Sequence, residues 1–288
     1  MASQQQLKRR IGSVKNTKQI TKAMELVSAS KMRRAQELAQ KSRDYRNVAR
    51  QILARLRELT DVSKHPLYSV RPVANRLHVV VTSNRGLAGA YNSNVLRRLT
   101  KELQADQAAG IASKLLVVGK QAAQFVVRFE AVEVISAYTN FPDHPTANDI
   151  RPILQTVRDA FVDGSVDAVD VLYTDYKSSI NQVVTLERVL PAAFSDEEIS
   201  PDLEAAIFEP SPKAVLNVVT ERLIEAQLAQ ALLESSASEQ SMRMMAMKNA
   251  TDNASDLIDD LTLAFNTARQ AAITQELAEI VGGAEAIK

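Results

Sequence analysis

The chain contains no cysteine and no tryptophan among its 288 residues, and only 5% of it is aromatic. Without thiols, disulfides, thiolate metal sites and cysteine nucleophiles are excluded, and a reducing compartment is permitted. So few rings, beside abundant Ala, Leu and Arg, suit helices that pack through small and aliphatic side chains rather than bulky cores. Long apolar runs are also missing, since none approaches the roughly 18 residues that a membrane-spanning helix needs. The opening stretch, Met1 to Arg10, is polar and basic with no apolar segment behind it, so no secretory signal is expected. A chain of this kind does not span a membrane, although it can sit on a membrane complex.

What is present is ordinary in bulk: 45% hydrophobic, 24% charged, with a net charge of +1. The charge is not evenly spread. Residues 1–60 hold 15 Lys/Arg against 4 Asp/Glu, a net of +11, whereas 61–210 hold 14 against 19 and 211–288 hold 6 against 11, a net of −5 each. The two ends are electrostatically opposite.

Proline and glycine are scarce where they would break helices. From Gln4 to Leu59 there is no proline and a single glycine, Gly12, and apolar residues recur at steps of three and four. Leu7, Ile11, Val14, Ile20, Met24 and Val27, then Tyr45, Val48, Ile52, Leu56 and Leu59, trace a stripe close to a heptad seam. From Lys213 to Ile280 proline and glycine are again absent, with a stripe through Leu216, Val219, Leu223, Ala254, Ile258, Leu261, Phe265, Ala268 and Ala272. At 1.5 Å per residue these helices would be about 80 Å and about 100 Å long.

Between them the pattern changes. Arg76–Thr82, Lys114–Val118, Val132–Ala137 and Val169–Thr174 read as strands, separated by amphipathic segments near 94–107, 120–128 and 149–161. Alternation of this kind predicts a mostly parallel sheet covered on both faces. Val183–Leu190 follows too soon for a crossover helix and is expected as an antiparallel edge strand. An acidic connector with Pro191, Pro201, Pro210 and Pro212 leads to the last helix. The predicted fold class is α/β: a central Rossmann-like α/β domain with a long antiparallel two-helix coiled coil formed by the N- and C-terminal helices. The expected division is 1–60 for the first helix, 61–210 for the α/β domain with its connector, and 211–288 for the second helix. If the helices pair, they must be antiparallel, and the longer second one should overhang Met1 as a lone, tapering end.

Chemistry-bearing motifs are thin. Gly119-Lys120 is followed by Gln121 and lacks the first glycine of a phosphate-gripping loop. The turn TSNRGLAGAYNSN, Thr82 to Asn94, carries Gly86 and Gly89 and reads either as a structural βα turn or as an anion site at a helix start. It lacks the full dinucleotide spacing. His65, His78 and His144 are scattered, with no zinc-ligand spacing. Asp252, Asp256, Asp259 and Asp260 form an acidic helix edge, read as solvated or partner-facing rather than catalytic. Met242, Met244, Met245 and Met247 are read first as packing. The basic residues Lys8, Arg9, Arg10, Lys15, Lys18, Lys22, Lys31, Arg33 and Arg34 leave open a nucleic-acid-binding arm, although no stacking aromatics are interleaved.

Three motifs and the segment before the last carry a resemblance. NTARQAAITQELAEIVGGA (Asn266–Ala284), preceded by MMAMKNATDNA (Met244–Ala254), is similar to the C-terminal motif of the gamma subunit of F-type ATP synthases. RIGSVKNTKQITKAMELVSASKMRRAQ (Arg10–Gln36) resembles that family's N-terminal motif, and SNRGLAGAYNSN its central one. Asn84 stands where Asp is usual and Ala88 where Cys is common. The paired-cysteine insertion of chloroplast relatives is missing.

The resemblance implies a non-catalytic rotor shaft on the cytoplasmic face of the cell membrane, with no cofactor and no metal. Implied partners are the alpha and beta subunits, the epsilon subunit and the membrane c-ring, and no nucleic acid. Carried over by position, Met24, Arg269, Gln270, Thr274 and Glu276 would lie near beta contacts. Leu277, Ile280 and Val281 would lie in the apolar collar around the shaft tip, and the connector Ala192–Pro212 near the ring and epsilon. Two rivals stay open: a nucleic-acid-binding protein with a coiled-coil arm, and an α/β enzyme built on the Gly86 turn.

Overall fold

The computed structural model describes residues 4–62, 65–129, 132–143, 145–193, 201–204 and 206–285. Two compact units are formed, one from Met1–Ser28 with Arg243–Lys288 and the other from Ala29–Met242. Both long helices, α1 (Gln4–Leu59) and α6 (Pro212–Glu285), contribute a segment to each.

The first unit is a pair of helical segments. Thr21 Oγ1 and Thr251 Oγ1 lie 2.8 Å apart, and Gln4 Nε2 donates to the Ala268 carbonyl at 3.3 Å, which makes the pair antiparallel as expected. On α6 the expected stripe is correct: Ala254 and Leu261 are buried and Ile258, Phe265, Ala268 and Ala272 half-buried.

On α1 the period is right, and the register is right at Leu7, Ile11, Val14 and Leu56 but not between them. The less exposed positions of α1 include an unbroken alternation of four- and three-residue steps from Leu7 through Ile11, Val14, Lys18, Thr21, Glu25, Ser28, Met32, Ala35 and Ala39 to Ala49, Leu53 and Leu56. That is a strict 3.5-residue repeat. Ile20, Val27, Tyr45, Val48 and Leu59, all expected in the seam, are instead exposed. The middle of the seam is built of Thr21, Ser28, Ala35, Ala39 and Ala49, small side chains that let two helix backbones approach closely. A reading weighted by hydrophobicity therefore slid one residue, to Ile20 beside Thr21, Val27 beside Ser28 and Val48 beside Ala49.

The second unit centres on a five-stranded sheet: β1 (Asn75–Val81), β2 (Ala112–Val118), β3 (Glu133–Tyr138), β4 (Ala168–Tyr176) and β5 (Gln182–Leu190). Its order is β3-β2-β1-β4-β5, with β5 alone antiparallel. The helices between are α2 (Tyr91–Ala108), α3 (Lys120–Val126) and α4 (Ala147–Val162), and a short α5 (Pro201–Glu204) follows β5. Strand and helix assignments from the sequence hold within a few residues.

Both faces of the sheet's centre carry apolar clusters because both are covered. Val80, Leu115, Val117 and Leu172 pack under α2 and α3, while Leu77, Val79, Val81, Val118 and Val171 pack under α4 and α6. Here α6 acts as a core helix: Ile224, Leu228, Ala231 and Leu232 join the sheet, and its other side meets Ala49, Leu53 and Leu56 of α1 across Leu216 and Leu223. Nearly every side chain from Leu223 to Arg243 is buried or half-buried as a result. A helix enclosed on both sides is apolar or small all round rather than amphipathic.

Candidate interaction surfaces

In a sheet of this order the chain turns opposite ways from β1 and β4, and ligands of open α/β sheets bind in the crevice that this leaves at the strands' C-terminal ends. Here α6 fills that crevice. Tyr91 Oη and Ser235 Oγ lie 2.8 Å apart, the Thr174 amide donates to Ser235 Oγ at 3.3 Å, and Ser238 Oγ donates to the Thr174 carbonyl at 3.1 Å. The remaining cavity is about 40 Å³, lined by Thr82, Asn84, Tyr91 and Ser236 among others. Small-ligand sites run from about 300 Å³ upward.

The glycine-bearing turn after β1 is used structurally. Ser83 and Asn92 exchange hydrogen bonds at 2.8–3.1 Å. Asn84 Nδ2 donates to the Phe141 carbonyl at 2.6 Å while its Oδ1 accepts from the Lys120 amide at 3.3 Å, ties that use both ends of the amide. A carboxylate could not make the first of them. Gly119, at φ +102°, has space for no side chain, since a Cβ there would stand 2.1 Å from the Thr82 carbonyl oxygen.

His65 and His78 are equally structural. His65 Nδ1 accepts from the Leu67 amide at 3.2 Å at the start of the 3-10 turn Pro66–Tyr68, and burial, partly offset by Asn217, lowers its pKa. His78 is fully buried with Nε2 2.8 Å from Asp106 Oδ2, an oxygen that also accepts from Ser113. His144 lies outside the described residues. No group of three metal-ligating side chains exists among the described residues, and none of their helices is long and apolar enough to cross a membrane.

What the molecule does present is surface on the first unit. Since Gln4 is level with Ala268, α6 continues 17 residues to Glu285, about 25 Å, with no described residue of α1 beside it. Arg269, Gln270, Thr274, Glu276, Leu277, Ile280 and Val281 all lie on this segment and are exposed. Ile273, Leu277 and Ile280 recur at helical spacing as an uncovered apolar stripe, the arrangement that marks a partner surface. Met24 is not with them. It is half-buried on α1, close to the level of Thr21 and Thr251, about 30 Å back along the pair.

One feature escaped the sequence reading. Ile20, Leu26 and Val27 form an exposed apolar edge on α1, signalled only by their one-residue offset from the seam. Beside them Lys8, Arg9, Arg10 and Lys15 are exposed without a carboxylate partner among the described residues. The acidic edge Asp252, Asp256, Asp259 and Asp260 is exposed as expected. Met247 is buried and Met242 and Met244 half-buried, in keeping with packing, while Met245 is exposed. The connector Ala192–Pro212 lies partly outside the described residues.

Comparison with known proteins matches residues 3–287 to a family model described as ATP synthase. The ATP synthase gamma chain of Moorella thermoacetica is 41% identical over 288 residues, covering all of both chains. That of Psychrobacter arcticus is 39% identical, also over the full length of both. Among solved structures, the central stalk and c-ring assembly of Tetrahymena thermophila mitochondrial ATP synthase contains a chain aligning at a TM-score of 0.63 and 27% identity, over 80% of this chain and 99% of that one. A chain of the Euglena gracilis mitochondrial enzyme aligns at a TM-score of 0.67 over 98% and 93%, at 18% identity, a likeness of fold.

Proposed function

The chain belongs to the ATP synthase gamma chain family, and on that premise we propose that it is the central rotor shaft of an F-type ATP synthase. The helix pair stands inside a hexamer of alternating alpha and beta subunits, and the α/β unit binds epsilon and the membrane c-ring. Proton flow turns the ring, and the shaft presses each beta subunit in turn. Every nucleotide site thereby shifts among conformations of different affinity, a population shift driven by differential contacts. ATP synthesis or hydrolysis takes place on beta, and this chain is a non-catalytic subunit of a membrane-associated complex. The reading assigns it to the cytoplasmic face of the cell membrane.

The observation that carries the proposal is the unpartnered end of α6, where Ile273, Leu277 and Ile280 stay exposed on an ordered helix. Such a surface suits an apolar sleeve made by other chains. Within the proposal Leu277, Ile280 and Val281 occupy that sleeve, Arg269, Gln270, Thr274, Glu276 and Met24 contact beta, and part of the connector meets the ring and epsilon. Residues 1–60 and 211–288 are then shaft, and 61–210 the ring-binding portion. The exposed cations of α1 favour an acidic partner, which keeps the nucleic-acid alternative testable.

Purified alpha and beta should hydrolyse ATP in a rotation-coupled manner only when this chain is added. Hexamer activity indifferent to the chain, together with salt-sensitive RNA binding, would replace the shaft reading with the nucleic-acid one.

A further inference from the structure

Where α1 and α6 meet the sheet edge, a buried acid lies among other buried polar groups. Glu234 is 4% exposed. Its Oε1 accepts from Arg43 Nη2 of α1 at 2.6 Å and from Gln230 Nε2 one turn earlier on α6. A second buried carboxylate, Asp175 of β4, lies close enough for its charge to act on Glu234. Asp175 Oδ2 is held by Lys177 Nζ, but Asp175 Oδ1 is buried with no donor. Further out, Tyr173 of β4 donates to Glu187 of β5 at 3.1 Å, and Arg46 of α1 lies 3.8 Å from the same carboxylate.

Two facing carboxylates and an orphaned acceptor between helices leave one simple resolution, a proton on Glu234 whose O–H supplies the donor that Asp175 Oδ1 lacks. We propose that Arg43, Glu234 and Asp175 form a proton-sharing clasp that locks α1 onto α6 and β4. Resting on the shaft reading above, the clasp is a positioning device that keeps the two long helices in register under torque. It is needed because the helices are held differently. α6 is part of the sheet core through Ile224, Leu228, Ala231 and Leu232, whereas Ala49, Leu53 and Leu56 of α1 belong to a separate cluster with Tyr68, Leu216 and Leu223.

The electrostatics agree with the geometry. Burial is the main cause raising the Glu234 pKa, with the Asp175 charge adding to it, while Arg43 and Gln230 pull the other way. The groups acting on it are Arg43 from α1, Gln230 on α6 and Tyr173 and Asp175 from β4, with Lys177 on Asp175 and Glu187 and Arg46 beyond Tyr173. A carboxyl raised in the folded state binds its proton more tightly there, so the contact is complete at the acid side. It weakens as pH climbs from the ordinary glutamate value of 4.5 through the raised one.

The test uses the assembled complex of alpha, beta, epsilon, c-ring and this chain in sealed vesicles. Protons pumped per ATP are measured together with amide exchange of residues 35–50 of α1. Arg43→Met should lower the pumping ratio and speed exchange, and Arg43→Lys should restore part of both. Glu234→Gln imitates the protonated acid, accepting from Arg43 and donating to Asp175, so it should keep both properties while Glu234→Ala loses them. Wild-type protection, corrected for intrinsic exchange, should fall as pH climbs above the ordinary glutamate value of 4.5 and be flat in Glu234→Gln. The clasp is refuted by an Arg43→Met complex equal to wild type, by Glu234→Gln failing as Glu234→Ala does, or by pH-independent wild-type protection. A wild-type complex that pumps no protons refutes the shaft reading instead.

Discussion

Replacing Leu277 and Ile280 together by Ser separates a partner surface from a folding core. Leu277 is 57% and Ile280 67% exposed, so little of their apolar area contributes to this chain's own stability. Fully burying such a side chain is worth about 1.5–3 kcal/mol. If a sleeve of other subunits covers the exposed fraction, the pair contributes about 2–4 kcal/mol to assembly, or roughly a 30- to 700-fold change in dissociation constant. The double variant should therefore melt with the wild type, within about 0.5 kcal/mol as for exposed sites. Titration against an alpha–beta hexamer, with thermal unfolding of the isolated chain as control, measures both quantities. Unchanged affinity would refute the idea that this end is gripped, and a marked loss of stability would show that the stripe is covered by the chain itself.

Three further outcomes follow from named contacts. Gly119→Ala puts a side chain at φ +102° and 2.1 Å from a carbonyl oxygen, and should destabilise the α/β unit by more than about 3 kcal/mol, read from denaturant unfolding. Met24→Lys should weaken coupling between rotation and ATP synthesis while moving stability by less than about 1 kcal/mol, since the side chain is half-buried; unchanged rotation-driven synthesis would remove Met24 from the interface. The Asp167 pKa is lowered first by the Asn75 amide, with the Ala74 amide and Arg71 adding to it against some desolvation. Its contribution is thus present above the ordinary Asp value of 3.8 and lost as pH falls through the depressed one. Asp167→Asn should lose that acid-side dependence, and an identical acid-unfolding curve would show that the carboxylate does not matter.

How much of this was legible in the residues differs from place to place. The strands from Asn75 to Tyr176 announced themselves as short β-branched runs, and their parallel order followed from the helices between them. β5 was identified as an antiparallel edge because five residues cannot form a crossover. The carried-over positions from Arg269 to Val281 fall on one uncovered segment, while Met24 lies far from them along the pair. Nothing local marked Glu234, a single acid in a long helix, or Asp175, an ordinary strand residue. Their chemistry exists only because α6 brings one against the other.

By itself the sequence determined which stretches are helix and strand, that the last helix outruns the first, and that phosphate-loop and zinc motifs are missing. These follow from local composition: proline, glycine, β-branching and period. Only the tertiary structure decided which edge of α1 is the seam, because Thr21, Ser28 and Ala35 are chosen for the closeness of a distant backbone and not for hydrophobicity. It also decided that the crevice of an otherwise nucleotide-binding type of sheet is closed, since the helix that fills it comes from residues far along the chain. A side chain's environment is set by its spatial neighbours, and for the seam, the crevice and the carboxylate pair those neighbours lie far away in sequence.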